Sequence, residues 1–380
     1  MKRLLFISSM NGAPWGGSEE FWFHMAQWMS AQGHQVECCF FDWPQGKDQK
    51  KTALKNKGCT LHPLPNPKHA KNYLHKILVK RRIKKQLMQL VQQNFDLICF
   101  SQGGLLDLTY PPFNHLLPFL KRFVIIYHNY NDVQILSNSR KRKIHNWSQA
   151  ALQNMVAAEK IFSVVPKIAG FKLPLGHLLK NPITIPVQEK PCPWPALSET
   201  GDYTWVVIGQ LDVQRKAQDI LIKALAGKDW TQRNWQLHIY GDGPDKALLE
   251  NLISNLQLHD KVFLKGFSAN VEMVLKDAHL LLQITHLDAM PLSVTEAMNM
   301  ARACIVSNVG DMPLWIGDGE QGFVVPALSE KLINDTLERA WQQKDNWQQL
   351  GVNAFQKFRE NYPAPYELYY ENYLLDLIKD

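Results

Sequence analysis

Short apolar runs separated by longer amphipathic stretches set the rhythm of this chain. In the first half the runs are LLFISS (4–9), QVECCFFD (35–42), LICFSQ (97–102), FVIIYHN (123–129) and IFSVV (161–165). They are rich in β-branched and aromatic residues, and too short for buried helices. Each predicts a strand covered on both faces. Between the first two, SEEFWFHMAQWMSAQG (18–33) carries helical spacing and stops at Gly33, as a helix C-terminus should. The second half repeats the scheme. TWVVIGQ (204–210), QLHIYGDG (236–243), VFLKGF (262–267), LLLQIT (280–285), ACIVSN (303–308) and GFVV (322–325) predict strands. QDILIKALAG, KALLENLISNLQL, NVEMVLKDA and PLSVTEAMNM predict helices between them. Buried strands alternating with helices make parallel sheets from βαβ units.

The stretch from Lys180 to Asp202 contains five prolines and no helical period, which is linker chemistry. The expected fold class is therefore α/β, with two Rossmann-like doubly wound parallel-sheet domains facing a central cleft. Ligands of such sheets lie beyond the carboxyl ends of the strands, so the loops there should hold the site. A length of 380 residues suits two cores. The net charge of +7 favours an acidic partner such as a nucleotide, a phosphate or a lipid head group. The basic, briefly apolar start is too short for a signal peptide, and no window holds 18 apolar residues. Six scattered cysteines lack CxxC spacing and read as buried thiols, with neither zinc nor disulfides implied. The expected location is cytoplasmic, with peripheral contact at the inner face of a membrane as an added option.

Four loops carry candidate chemistry. After the first strand, Gly16 and Gly17 allow close backbone approach, and Ser18 can cap the next helix, whose first amides favour an anion. The same pattern also makes an ordinary βα turn. His128 ends a strand at the same edge, where it could donate to a hydroxyl or a phosphate, or simply serve the fold. After TWVVIGQ, Arg215 and Lys216 are expected at a helix start. Cations are disfavoured there, and a bound anion would offset the cost. In THLDAMPLSVTEAM (285–298), Asp288 precedes a helix start at Pro291, and Glu296 lies about one turn in. The amides around Met290 to Ser293 would bind an anion between two acids. A nucleotide-sugar has matching parts: ribose hydroxyls, diphosphate and sugar hydroxyls. A solvated loop acid and a surface acid would fit the spacing equally.

These residues resemble a known family. From about Val206 to Val325 the chain is similar to the nucleotide-binding domain of GT-B glycosyltransferases, specifically the retaining family 4, or group 1. The shared pattern is the G-x-L-D…K loop, LHIYGDGPD, VFLKGF, LLLQIT…DAMPLSVTEAM and VSNVGDMPLWIGDGEQGFVV, which contain the counterpart of the family's E-x7-E motif. GAPWGGSEEFW resembles the family's acceptor-side glycine loop. The resemblance implies an acceptor-binding domain over residues 1–185 and a donor domain over 186–362. It also implies a last helix, 363–380, crossing back to the first domain. It assigns Glu296 to the ribose, Asp288 to hydroxyls of the transferred sugar, and Lys216 to the diphosphate. The backbone of Ala289, Met290, Pro291 and Leu292 would hold sugar and phosphate, and His128 would touch the transferred sugar. Gly17 would lie near the phosphates, and Gly16 and Glu19 near the acceptor. His128, Asp288 and Lys216 are the implied catalytic set. The chain departs from the pattern at Gln210 (Arg in the family, with Arg215 as a substitute cation), at Asp288 (Glu) and at Ala289 (Gly).

No D-x-D metal motif is visible, so no cofactor is expected beyond the nucleotide diphosphate sugar as co-substrate. The implied reaction is metal-independent hexosyl transfer with retention, to a glycan or lipid-linked acceptor in surface polysaccharide synthesis. Retention by double displacement would need two carboxyls about 5 Å apart, and no such pair is identifiable. Two other functions use similar parts: a non-catalytic nucleotide-sugar or glycan-binding subunit, and another GT-B enzyme such as a nucleotide-sugar epimerase. Residues 68–85, KHAKNYLHKILVKRRIKK, hold eight Lys or Arg among apolar residues. They read as a solvated helix face or as a helix lying on an anionic membrane. Nucleic acid is not an expected partner.

Overall fold

The apolar runs assemble into two separate all-parallel sheets. The computed structural model describes residues 1–10, 15–43, 48–102, 122–128, 160–163 and 176–379, with Phe113, Leu116, Phe119 and Leu120. Gly12 to Pro14, Asn129 and residues 164–165, all within stretches named above, lie outside the described residues. Two units divide the chain: Met1–Pro182 with Ala364–Asp380, and Ile183–Pro363.

In the first unit the strands are β1 (Arg3–Ser8), β2 (Gln35–Phe41), β3 (Thr60–Leu64), β4 (Leu97–Gln102), β5 (Phe123–Tyr127), β6 (Lys160–Ser163) and β7 (Gly176–Leu178). Their order is β3-β2-β1-β4-β5-β6-β7, so the connections reverse direction between β1 and β4. Two strands were not expected. β3, TLHPL, is an edge strand, where Pro63 is tolerated because one side needs no ladder partner. β7 is only three residues long. The helices described before the linker are α1 (Gly17–Ala31), α2 (Asp48–Asn56) and α3 (Tyr73–Val91). Helix α1 ends as its sequence suggests. Gly33 takes a φ of +87°, and the amides of Gly33 and His34 return to the carbonyls of Ser30 and Met29.

The second unit contains β8 (Tyr203–Ile208), β9 (Trp235–Tyr240), β10 (Val262–Gly266), β11 (Leu280–Gln283), β12 (Ala303–Ser307) and β13 (Gly322–Val325). Their order, β10-β9-β8-β11-β12-β13, again reverses in the middle, between β8 and β11. Around them lie α4 (Val213–Lys216), α5 (Gln218–Ala224), α6 (Lys228–Thr231), α7 (Lys246–Asn255), α8 (Val271–Lys276), α9 (Leu292–Asn299), α10 (Met312–Trp315), α11 (Glu330–Gln342) and α12 (Trp347–Asn361). Tryptophans fill much of this core. Trp205 on β8 stacks on Trp235 of β9 with ring centres 5.3 Å apart, and Trp230 and Trp347 meet Trp205 edge-on. Each such pair contributes about 0.5–1.5 kcal/mol beyond its buried area.

The final helix, α13 (Tyr366–Asp376), belongs to the first unit. Tyr370 packs edge-on against Phe21 of α1 at 5.4 Å. The hydroxyl of Tyr370 accepts from the Lys180 amide and that of Tyr366 donates to the Lys180 carbonyl, both at 2.6 Å. The indole of Trp28 donates to Glu371 at 2.8 Å. All six cysteines are free, and five of them are buried. Among the described residues, no helix is long and apolar enough to cross a membrane.

Candidate functional site

A crevice ligand is expected where a parallel sheet's connections reverse. In the second unit that point is flanked by the segments after β8 and β11. The first supplies Lys216 and the second Asp288, and the two side chains form an ion pair, each 16% exposed. Asp288 is fixed from two more directions. Its Oδ1 accepts from the Ala289 amide at 3.0 Å, and its Oδ2 accepts from Gln283 Nε2 at 3.3 Å. The amide oxygen of Gln283 in turn accepts from Ser293 Oγ, in the first turn of α9, at 3.1 Å. A polar residue ending the buried strand LLLQ thus aims one end at the acid and the other at the helix.

The two segments are tied through one carbonyl. Arg215 O accepts from the amides of His286 and Leu287, at 2.8 and 3.2 Å, and from Thr285 Oγ1 at 2.6 Å. The Thr285 amide donates to Ser307 Oγ at the end of β12. A third loop closes the group. Gly310 has a φ of +63°, and a Cβ there would stand 2.3 Å from the Ala289 carbonyl oxygen and 2.5 Å from that of Asp288. The Asp311 amide donates to the Ala289 carbonyl at 3.0 Å. Glycines also set the neighbouring turn, because a Cβ on Gly241 would lie 1.9 Å from the Gly209 oxygen.

Arg215 and Lys216 are not at a helix start, which corrects the expectation above. They form the last turn of the one-turn helix α4, after which Ala217 turns left-handed at φ 47° and α5 begins. Asp212 caps α4 by accepting from the Arg215 amide. Cations at a helix C-terminus are favourable, so the supposed electrostatic cost does not exist. The case for an anion therefore rests on Lys216 facing the reversal point beside Asp288. The side chains of Arg215 and Gln210 are exposed.

Pro291 stands at the N-cap of α9, with the helix beginning at Leu292. Ala289 and Met290 are buried, and Leu292 is partly covered. Glu296 is 3% exposed. Its Oε1 accepts from the Thr184 amide at 2.8 Å and from Thr184 Oγ1 at 2.6 Å, in the segment that enters this unit. Reading the sequence missed Thr184, which lies 112 positions away and has no local signal. Gln283, Ser293 and Gly310 were also missed. Gln283 was visible as a polar end to an apolar strand.

The other candidates belong to the first unit. Gly16 is the N-cap of α1, and Gly17 is exposed at its first position. Glu19 lies in the first turn of α1. It is 4% exposed, and its carboxylate accepts from Ser8 Oγ at 2.8 and 3.0 Å and from Trp22 Nε1 at 2.9 Å. The Ser8 bonds tie α1 to β1. His128, just past β5, is 9% exposed, and neither ring nitrogen has a hydrogen-bond partner among the described residues. Burial pushes its pKa down to about 4, opposed by the neighbouring Asn181 side chain, so the ring is neutral near pH 7. No cluster of metal-ligating side chains occurs among the described residues.

Residues 193–357 match the sequence model of the family described as glycosyl transferases group 1. N-acetyl-alpha-D-glucosaminyl L-malate synthase of Bacillus anthracis is 27% identical over 167 residues, which are 43% of this chain and 43% of that protein. The shared stretch is thus less than half of that relative. Two solved structures are similar along nearly their whole length. The S. aureus TarM mutant in complex with fondaparinux, alpha-GlcNAc-glycerol and UDP superposes with a TM-score of 0.74, covering 100% of both chains at 13% identity. Anabaena Alr3699/HepE in complex with UDP and glucose gives 0.73, covering 98% of this chain and 99% of that one at 14% identity. At such identities the likeness carries the fold alone. The family match thus lies wholly within the second unit, and the fold of the chain is GT-B.

Proposed function

We propose that this protein is a retaining glycosyltransferase. It would move a hexose from a nucleotide diphosphate sugar to a glycan or lipid-linked acceptor in surface polysaccharide synthesis. The observation that carries the reading is the Lys216–Asp288 pair, braced at the sheet's reversal point inside the stretch that matches the family. Each partner holds the other while the site is free. A donor would exchange both: the diphosphate takes Lys216, and sugar hydroxyls take Asp288. Arg215 adds exposed positive charge to the same turn. Glu296 is assigned to the ribose and His128, as a neutral hydrogen-bonding ring, to the transferred sugar. The backbone of Ala289 to Leu292 is assigned to sugar and phosphate, and Gly16 and Gly17 to the first unit's ligand loop.

In the proposed step the bond from the anomeric carbon to the donor phosphate oxygen breaks. The acceptor oxygen bonds to that carbon on the same face, and its proton passes to a phosphate oxygen of the leaving diphosphate. Charge on the leaving group is met by Lys216 and by backbone amides, a preorganised arrangement that needs no metal. A screen of UDP-, GDP- and ADP-sugars by thermal shift and nucleotide release, with and without EDTA, tests this. One nucleotide should stabilise the protein and be released slowly in EDTA. Asp288→Asn and Glu296→Gln should each abolish turnover with acceptor, and full activity in both variants would refute the site.

A further inference from the structure

Helix α3 carries a surface that the proposed chemistry does not use. Its last turns are held to the first unit by Ile83, Leu87, Leu90 and Val91, which are buried. Its first turns are not. From Tyr73 to Arg82 no residue is buried, although Asn72 caps the helix firmly by accepting from the His75 amide at 2.9 Å. Tyr73 is 76% exposed, Leu74 72% and Leu78 60%. Leu74 and Leu78 lie one turn apart on the outward face, and Arg81 and Lys85 continue that face. Residues 68–85 contain eight Lys or Arg and no acid. The whole chain carries only +7, so everything outside this segment sums to about neutral. Lys76, Arg81, Arg82, Lys84 and Lys85 enter no ion pair among the described residues.

We infer that the exposed half of α3 docks on an anionic phospholipid bilayer. Leu74, Leu78 and Tyr73 would enter the head-group boundary, and the surrounding cations would meet lipid phosphates. Charge complementarity favours this occupant, because a neutral protein groove would leave the cations unanswered. The inference does not depend on what the second unit binds.

The test is co-sedimentation of the full chain with vesicles of phosphatidylcholine alone or with phosphatidylglycerol added. Binding is expected only with the anionic lipid, and it should fall steeply with salt. Leu74→Ser with Leu78→Ser should weaken it at least tenfold, and Lys84→Gln with Lys85→Gln should do so as well. All four positions are exposed, so thermal unfolding and nucleotide binding should stay as in the parent chain. Absence of binding, equal binding to both vesicles, or binding indifferent to the leucine pair would overturn the inference. The last result, joined to retention on a polyanion such as heparin, would mark a purely electrostatic surface.

Discussion

Gly310→Ala separates backbone strain from damage to the proposed site. Gly310 sits at φ +63°, where an L-residue costs about 1–2 kcal/mol. Its new Cβ would meet the Ala289 oxygen at 2.3 Å and the Asp288 oxygen at 2.5 Å, whereas real Cβ contacts essentially never fall under 3.0 Å. The loop carrying Asp288 must therefore retreat by at least 0.7 Å, the difference between 3.0 and 2.3 Å. A displacement of that order at a positioning group costs roughly a hundredfold in rate. Gly319→Ala is the matched control, with a φ of +82° and nothing within 4 Å of its Cβ. Both variants should lower the unfolding temperature of the second unit, the control by about 2–4 °C for each kcal/mol lost. Only Gly310→Ala should weaken nucleotide-sugar binding, measured calorimetrically with the nucleotide that stabilises the parent chain. Equal affinity in the two variants would refute the claim that Gly310 seats the Asp288 loop.

Two further outcomes are expected. His279 is fully buried, its Nδ1 accepts from the Thr204 amide at 2.9 Å, and burial followed by the Arg302 charge pushes its pKa to about 4. A folded pKa below the unfolded value of about 6.5 gives stability that is present above pH 6.5 and lost as pH falls toward 4. Denaturant titrations at pH 7 and 5 should show a loss on the order of 2 kcal/mol from this residue, reduced in His279→Gln. A parent chain equally stable at both values would contradict the assignment. Arg302 is fully buried and donates to the carbonyls of Leu275, Lys276, Cys192 and Pro193, at 2.9, 3.0, 3.3 and 2.8 Å. Arg302→Lys keeps the charge but cannot reproduce the fork, so it should cost about 2–4 kcal/mol in equilibrium unfolding; a change under about 0.5 kcal/mol would mean water replaces the lost bonds.

The sheets were legible because strands covered on both faces must be apolar throughout. All six strands of the second unit start within a residue of their apolar runs and end within three. β3 was hidden because an edge strand can afford Pro63, His62 and Thr60. At the candidate site, the loop and helix start from Asp288 to Glu296 were legible because proline and acid punctuation is local. Three features were not legible. The break after Lys216 depends on Ala217 taking a left-handed turn that its sequence does not demand. Burial of Glu19 depends on Ser8 lying under α1. The bond from Thr184 to Glu296 joins residues far apart in the chain, and such pairings become visible only after folding.

The return of α13 to the first unit makes that unit discontinuous in the chain, while residues 183–363 form the second as one uninterrupted stretch. The first unit closes only when Tyr366, Tyr370 and Glu371 reach Phe21 and Trp28, and the Trp28–Glu371 bond alone spans 343 positions. Loop closure over such a distance is slow to form and local in what it guards. A chain cut after Pro363 should therefore keep protease resistance in residues 183–363 and lose it in the residues before them.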